Sequence, residues 1–346
     1  RLFLLSTVTA FYKIVGDIMQ TQNLNSPDAL WRPMTQHKTL LSNRPKHIVK
    51  GEGCYIINED GTRILDGTAG LWCVNVGHGR KELAEEAKMQ MENLAYVNPT
   101  MTSDPAVELS EKMLKMMDME KGHVYFTSSG SEANEVAFKI VRQYHLQAGN
   151  PRKYKIISRH RAYHGNTLAT MTATGQAERK IGYEPLAPGF LHVPPPYPYR
   201  KHPKLTLEEH GEECVKFLED TIIYEGEETV AAFLMEPMIS GGGVLIPPDN
   251  YLKGVREVCD RYNVLLIMDE VVSGFGRTGK MFATDHLNVE PDIICLAKSL
   301  TGGFIPLAAT VFSENIHKMF VSTDFNKTFL HGHTFSANPV ACAVAL

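Results

Sequence analysis

Short apolar runs bounded by turn residues recur along the chain: His123–Thr127, Lys155–Ser158, Val230–Glu236, Val264–Asp269, Ile293–Leu296 and Leu307–Phe312. Each has strand length and is rich in Val, Ile, Leu or Phe, so each predicts a strand with apolar residues on both faces. Segments of helical period fall between them. Glu132–Gln147 places apolar or small residues at 133, 136, 137, 140, 141 and 144, along one helical face. Tyr251–Tyr262 repeats the pattern after a Pro-Pro-Asp start. Strands apolar on both sides and alternating with helices predict an α/β fold, a mostly parallel sheet covered by helices on both faces. Near the N-terminus the pattern changes. Val49–Glu52 and Cys54–Asn58 read as short strands, and Glu59-Asp60-Gly61 as a hairpin turn. Residues 19–78 are therefore assigned to a smaller α+β domain and 79–338 to the large one. The Pro-, Tyr- and His-rich segment 188–212 reads as a long surface loop. Residues 339–346 read as the start of an Ala-rich helix leading to a C-terminal domain absent from this chain.

Composition narrows the function classes. With 346 residues, 43% of them hydrophobic, the chain has material for a large core in one or two domains. The net charge of -4, with both signs interspersed, gives no basic stripe for nucleic acid. No apolar run is long enough to span a bilayer. Six cysteines, at 54, 73, 214, 259, 295 and 342, form no CxxC pair. That usage points to a reducing compartment, the cytoplasm, rather than to a disulfide framework or a zinc site. Residues 1–18, ahead of Met19, read as an upstream segment outside the fold.

Three places could carry chemistry. Ser128-Ser129-Gly130-Ser131-Glu132 follows a strand and opens a helix, where free N–H groups and the positive dipole end suit a phosphate. Plain N-capping accounts for the same residues, because Ser before Glu also makes a capping box. Asp269 ends the apolar run Val264–Met268, at the strand end where open α/β sheets bind ligands. A helix-capping acid is the competing reading. Lys298 follows the Ile293–Ala297 run, and burial there would favour a neutral, nucleophilic amine over an ordinary surface lysine. Gly274–Gly279 matches GxGxxG literally, and Gly274–Lys280 approximates a P-loop. Yet Lys280–Pro291 makes a poor helix, and Met281 stands where the magnesium-binding hydroxyl belongs. His160 with His164, and His331 with His333, lack further metal ligands.

An amine, a phosphate cradle and an acid for a pyridine nitrogen together match pyridoxal 5'-phosphate chemistry. From about Trp31 onward the sequence resembles the class III, or ω-transaminase, aminotransferases. The motifs are Leu71-Trp72-Cys73-Val74-Asn75-Val76-Gly77-His78-Gly79, Ser129-Gly130-Ser131-Glu132-Ala133 and Tyr163-His164-Gly165. Glu236-Pro237, Gly241–Pro248, Asp269-Glu270-Val271, Gly274–Gly279 and Lys298 with Thr301-Gly302-Gly303 follow in order. The resemblance implies PLP-dependent transferase fold type I and a ping-pong aminotransferase. It also implies roles for individual residues. Lys298 forms the Schiff base and moves the proton, and Asp269 pairs with the ring nitrogen. Ser129, Gly130 and Ser131 hold the phosphate end. Tyr163 and Val271 cover the two ring faces, with His164 and Glu236 also contacting the cofactor. Thr334 reaches the phosphate of a neighbouring subunit in a homodimer with shared sites.

Leu71, Trp72 and Tyr163 are expected to wall the substrate slot. GABA- and ornithine-type relatives carry a gating Glu where this chain has Gly241. The resemblance therefore leans towards an ω-amino acid or amine as donor and pyruvate as acceptor. The arginine that relatives use for the acceptor's carboxylate lies beyond residue 346. No metal, nucleic-acid or membrane partner is expected. The rivals are another fold-type I PLP enzyme, a decarboxylase or aminomutase, and a nucleotide-binding protein using Gly274–Lys280.

Overall fold

The computed structural model describes residues 29–119, 121–286 and 289–346. The expectation for residues 1–18 and Met19 lies outside these. The chain divides into two compact units, one ending at Leu65 and the other comprising Asp66–Leu346. In the first, β1 (Ile48–Glu52), β2 (Tyr55–Asn58) and β3 (Arg63–Leu65) form an antiparallel sheet in that order. The predicted turn joins β2 to β3. Gly61 takes the left-handed φ of 82°, and Asp60 Oδ1 accepts the Thr62 N–H at 2.9 Å. Both are what a tight hairpin asks of those residue types.

The second unit is built on seven strands: β4 (His123–Thr127), β5 (Lys155–Arg159), β6 (Phe190–Val193), β7 (Val230–Met235), β8 (Leu265–Asp269), β9 (Ile293–Leu296) and β10 (Ala308–Phe312). Their spatial order is β4-β10-β9-β8-β7-β5-β6. The run from β9 to β6 is parallel, while β10 is antiparallel to both its neighbours. The main helices are α1 (Lys81–Asn93), α2 (Asp104–Met116), α3 (Gly130–Gln147), α4 (Leu207–Glu225), α5 (Tyr251–Arg261) and α6 (Pro339–Ala345).

Alternation along each strand divides the core into two layers. Ala133, Val136, Ala137, Ile140 and Val141 of α3 pack on Ile156, Leu234, Leu265, Ile267, Ile293 and Cys295. On the opposite face Leu218 and Ile222 of α4, and Leu252, Val255 and Cys259 of α5, pack on Phe233, Met235, Leu266, Met268, Ile294 and Leu296. Each such side chain is essentially removed from water, worth about 1.5–3 kcal/mol apiece before entropy is charged against it. This is the expected mostly parallel sheet with helices on both faces.

One reading is corrected. Segment 188–212 is not a single loop. Phe190–Val193 is an edge strand pairing in parallel with β5, and α4 begins at Leu207. The strand has only four residues and runs into Pro194-Pro195-Pro196, which suits an edge, where no further ladder bond is needed. The helix start is a capping box. Thr206 Oγ1 accepts the Glu209 N–H at 3.1 Å, and Glu209 Oε2 accepts the Thr206 N–H at 2.7 Å.

Candidate active site

Because β10 runs against β4 and β9, the carboxyl ends of β4, β8 and β9 open on the same edge of the sheet. The segments leaving those ends enclose a cavity of about 350 Å³, together with residues that follow β5 and β7. Ser128, Ser129, Gly130, Ser131, Tyr163, His164, Glu236, Asp269, Val271 and Lys298 all line it, as does Leu71. A ligand site at strand carboxyl ends is the general expectation for an open α/β sheet.

The cradle comes first. Ser129 is the N-cap of α3, its Oγ accepting the Glu132 N–H at 3.2 Å, while Glu132 Oε2 reaches back to the Ser128 N–H at 2.8 Å. The capping reading holds, and it leaves the first N–H groups of the helix free. The cap uses the N–H of Glu132, whereas Gly130 and Ser131, as the first two helical residues, have no carbonyl one turn earlier to bond. Both line the cavity at the positive end of an 18-residue helix. A Cβ on Gly130 would sit 2.9 and 3.0 Å from the two Val271 methyls. Only glycine allows the helix start and the segment after β8 to close together on the cavity.

Asp269, 4% exposed, ends β8. Its position in the alternation, following Leu265 and Ile267, turns it to the α3 face. There Oδ2 accepts Asn134 Nδ2 at 2.9 Å and lies 2.8 Å from His164 Nδ1, and Oδ1 accepts the Val271 N–H at 3.1 Å. Asn134 was not singled out from sequence. It lies one turn after Gly130 on α3 and lines the cavity, so its signal was a polar residue at i+4 from the cradle. His164 Nε2 is buried with no partner among the described residues. An orphaned polar atom beside a buried carboxylate is costly in a closed structure and is found where a ligand completes the bonding.

Lys298 leaves β9 beside β8, whose Asp269 pairs with Cys295. Strict alternation from Ile294 and Leu296 would carry it to the α4–α5 face. Instead its backbone is left-handed, with φ 47°, and its side chain enters the cavity. Such a conformation in a non-glycine residue is strained and concentrates at functional sites. Burial lowers the amine's pKa from the lysine value, opposed by the negative charges of Asp269 and Glu236. Glu236, 4% exposed, accepts the Tyr163 N–H at 3.2 Å and the Ser240 N–H at 2.9 Å, and burial pushes its own pKa up. Burial likewise raises Tyr163, over whose ring the Arg179 guanidinium lies at 4.8 Å.

Two expected site residues stand apart. Trp72 does not line the cavity, although its neighbours Leu71 and Cys73 do. Thr334 is exposed and outside it. The GxGxxG segment opens no long helix. The next element after it is a 3-10 turn at Ala283–His286, so the fingerprint's geometry is missing. His160 stacks on His192, away from His164.

A helix N-terminus with free N–H groups, a buried acid and a desolvated amine on one cavity, with an unbonded histidine nitrogen beside the acid, fit pyridoxal phosphate. Comparison with known proteins agrees. The model of the class-III aminotransferase family matches residues 40–346. The uncharacterized aminotransferase YhxA of Bacillus subtilis is 46% identical over 95% of this chain, which spans 72% of that protein. A putrescine–pyruvate aminotransferase of Pseudomonas aeruginosa is 40% identical over 91% of the chain and 69% of its own length. The PLP-bound amine transaminase of an uncultivated Pseudomonas species superimposes with TM-score 0.89 at 36% identity, covering 93% of this chain and 73% of that one. No helix among the described residues is long and apolar enough to cross a membrane. The cavity and these relatives lead to one assignment: the chain belongs to the class-III aminotransferases, pyridoxal-phosphate-dependent enzymes of fold type I that move an amino group between a small amine and a keto acid.

Proposed function

We propose that the chain moves the amino group of an ω-amino acid or amine to pyruvate in two half-reactions, with Lys298 as the reacting amine and Asp269 as the acid facing the ring nitrogen. The observation that carries this reading is that Lys298, Asp269 and the N-terminus of α3 border one cavity. When bound, pyridoxal phosphate supplies a carbonyl that accepts amines and a conjugated ring that draws electron density from the substrate's Cα–H bond. Lys298, its pKa lowered by burial, keeps more neutral amine at neutral pH, the form that attacks a carbonyl and later takes a proton from carbon. Asn134 and His164 fix the Asp269 carboxylate towards the cavity. The N–H groups of Gly130 and Ser131, with Ser129 beside them, hold the phosphate. Tyr163 and Val271 bound the ring faces, and Glu236 braces Tyr163 through its backbone.

Pyruvate as acceptor is supported by the putrescine–pyruvate relative and by Gly241 in place of a gating Glu. Leu71 and Tyr163 give the donor's carbon chain an apolar wall. Exposed Thr334 belongs, in this reading, to the site of a second copy, making the enzyme a homodimer. Six unpaired cysteines accord with a cytoplasmic setting.

The test is Lys298→Ala. The variant reconstituted with pyridoxal phosphate should lose the visible band of the bound cofactor and form no alanine from putrescine or β-alanine with pyruvate. Retention of both band and turnover would remove Lys298 from the reaction.

A further inference from the structure

The Gly274–Gly279 segment touches the chemistry above only through the charge of Arg277, which helps lower the Lys298 pKa, yet it grips the cavity wall that carries Leu71 and Cys73. Trp72 and Phe275 are both left-handed non-glycine residues, each at φ 58°. The carbonyl of each accepts a side chain from the other's segment. Arg277 Nη2 donates to Trp72 O at 2.9 Å, and Asn75 Nδ2 donates to Phe275 O at 3.2 Å. Arg277 Nε also donates to Val272 O at 2.7 Å. One guanidinium fork thus ties residue 72 to the segment just after Asp269.

The rest of that wall is held as deliberately. Ala69 and Gly70 are left-handed too, at φ 49° and 68°. Asp66 Oδ2 receives the Gly70 N–H at 2.6 Å and lies 2.8 Å from His78 Nε2, closing the base of the segment. A Cβ on Gly302 would meet Val76 at 2.7 Å, so the segment also lies tight against the turn that follows Lys298. Strained backbone persists only where its surroundings over-determine it, and these bonds are the surroundings.

We propose that Arg277, with Asn75 as its reciprocal partner, is a positioning residue that sets the reach of the donor slot by holding Leu71 and Cys73 in the cavity wall. It discriminates amines by the length of their hydrocarbon chain. This rests on the reading that donors react at Lys298. A donor too short to touch Leu71 is indifferent to the clamp, whereas a long one needs the wall in register. Lysine is the informative substitution, because a point donor cannot fork between two carbonyls.

The experiment uses the holoenzymes of Arg277→Lys and Asn75→Ala. It combines steady-state kinetics on β-alanine, GABA, propylamine and hexylamine with cofactor affinity by absorbance titration and hydrogen exchange of the peptide 66–78. Losing one or two net hydrogen bonds predicts KM for hexylamine raised about three- to tenfold. The shortest donors, kcat and cofactor affinity should stay within about twofold, the pattern of lost uniform binding. Exchange should quicken in 66–78 and not in α3. Equal losses on all four donors, or unchanged exchange in 66–78, would overturn the proposal. A loss confined to β-alanine and GABA would overturn it too, by making Arg277 a carboxylate receptor. If Lys298 were not the reacting group, Lys298→Ala would keep turnover whatever the exchange result, so the two failures are separable. Should Arg277→Lys fail to fold, Asn75→Ala reads the same clamp from its other half.

Discussion

Asp269 and Glu270 are consecutive, acidic and buried, at 4% and 0% exposure, yet they face different worlds. Glu270 points away from the cavity and is saturated. Ser273 Oγ donates at 2.5 Å, the Ala283 N–H at 3.1 Å, the Thr284 N–H at 2.8 Å and Thr284 Oγ1 at 2.9 Å. Every donor comes from the loop that its carboxylate folds back, and burial raises its pKa. Asp269 has a comparable set of partners, but one is His164, whose outer nitrogen is unbonded and buried, and the acid borders a cavity. A finished network builds structure. An open-ended one that also borders a cavity leaves a bond that a ligand there would complete.

Three substitutions can break or sharpen that contrast. The largest effect is expected from Asp269→Asn, which keeps the shape and removes the charge. Amine transfer should fall about a hundredfold or more in single-turnover assays while cofactor still binds. A rate near that of the parent would mean that the open network is only structural. Next comes Glu270→Gln, whose amide cannot accept all four donors. Each buried donor left unmet costs about 1–3 kcal/mol, so the melting temperature should drop by several degrees with the rate per folded molecule kept. Lost activity at unchanged stability would reverse the assignments.

The smallest effect concerns His145, a buried histidine on which the opposing charges of Lys153 and Asp292 count for less than burial. One ring nitrogen meets Ala231 O at 2.9 Å and the other has no partner among the described residues. Burial holds its pKa at about 4, below the ordinary 6.5. Between those values the unfolded chain binds more protons than the folded one. Stability is therefore full above about pH 6.5 and declines as pH falls towards 4. The loss should be about 1 kcal/mol at pH 5.5, measurable by denaturant titration and absent in His145→Gln.

The sheet was largely legible because its strands are apolar on both faces and flanked by turn residues, a pattern that survives without knowledge of partners. The places of Ser128–Glu132, Asp269 and Lys298 on one edge of the sheet were legible for a related reason, since each lies at or just past the end of such a strand. What escaped depended on the third dimension. Asn134 matters through Asp269, far away in sequence. Lys298 reaches the cavity through a left-handed backbone that no residue pattern announces. The helix α4 carried its Thr206–Glu209 signature openly, but the prolines and tyrosines before it outweighed that local signal. Trp72 was legible as an aromatic candidate, but the bond from Arg277 to its carbonyl could not be read from sequence.

The cavity gathers residues from Leu71 to Leu307, contributed by segments that follow several separate strands. A cofactor held by all of these segments binds the folded molecule in preference to the unfolded chain. It then acts as a thermodynamic weight on the native side of the folding equilibrium, adding about 2.7 kcal/mol at a hundred times its dissociation constant. Cofactor supply would thereby shift the folded fraction of such a protein, as well as its rate.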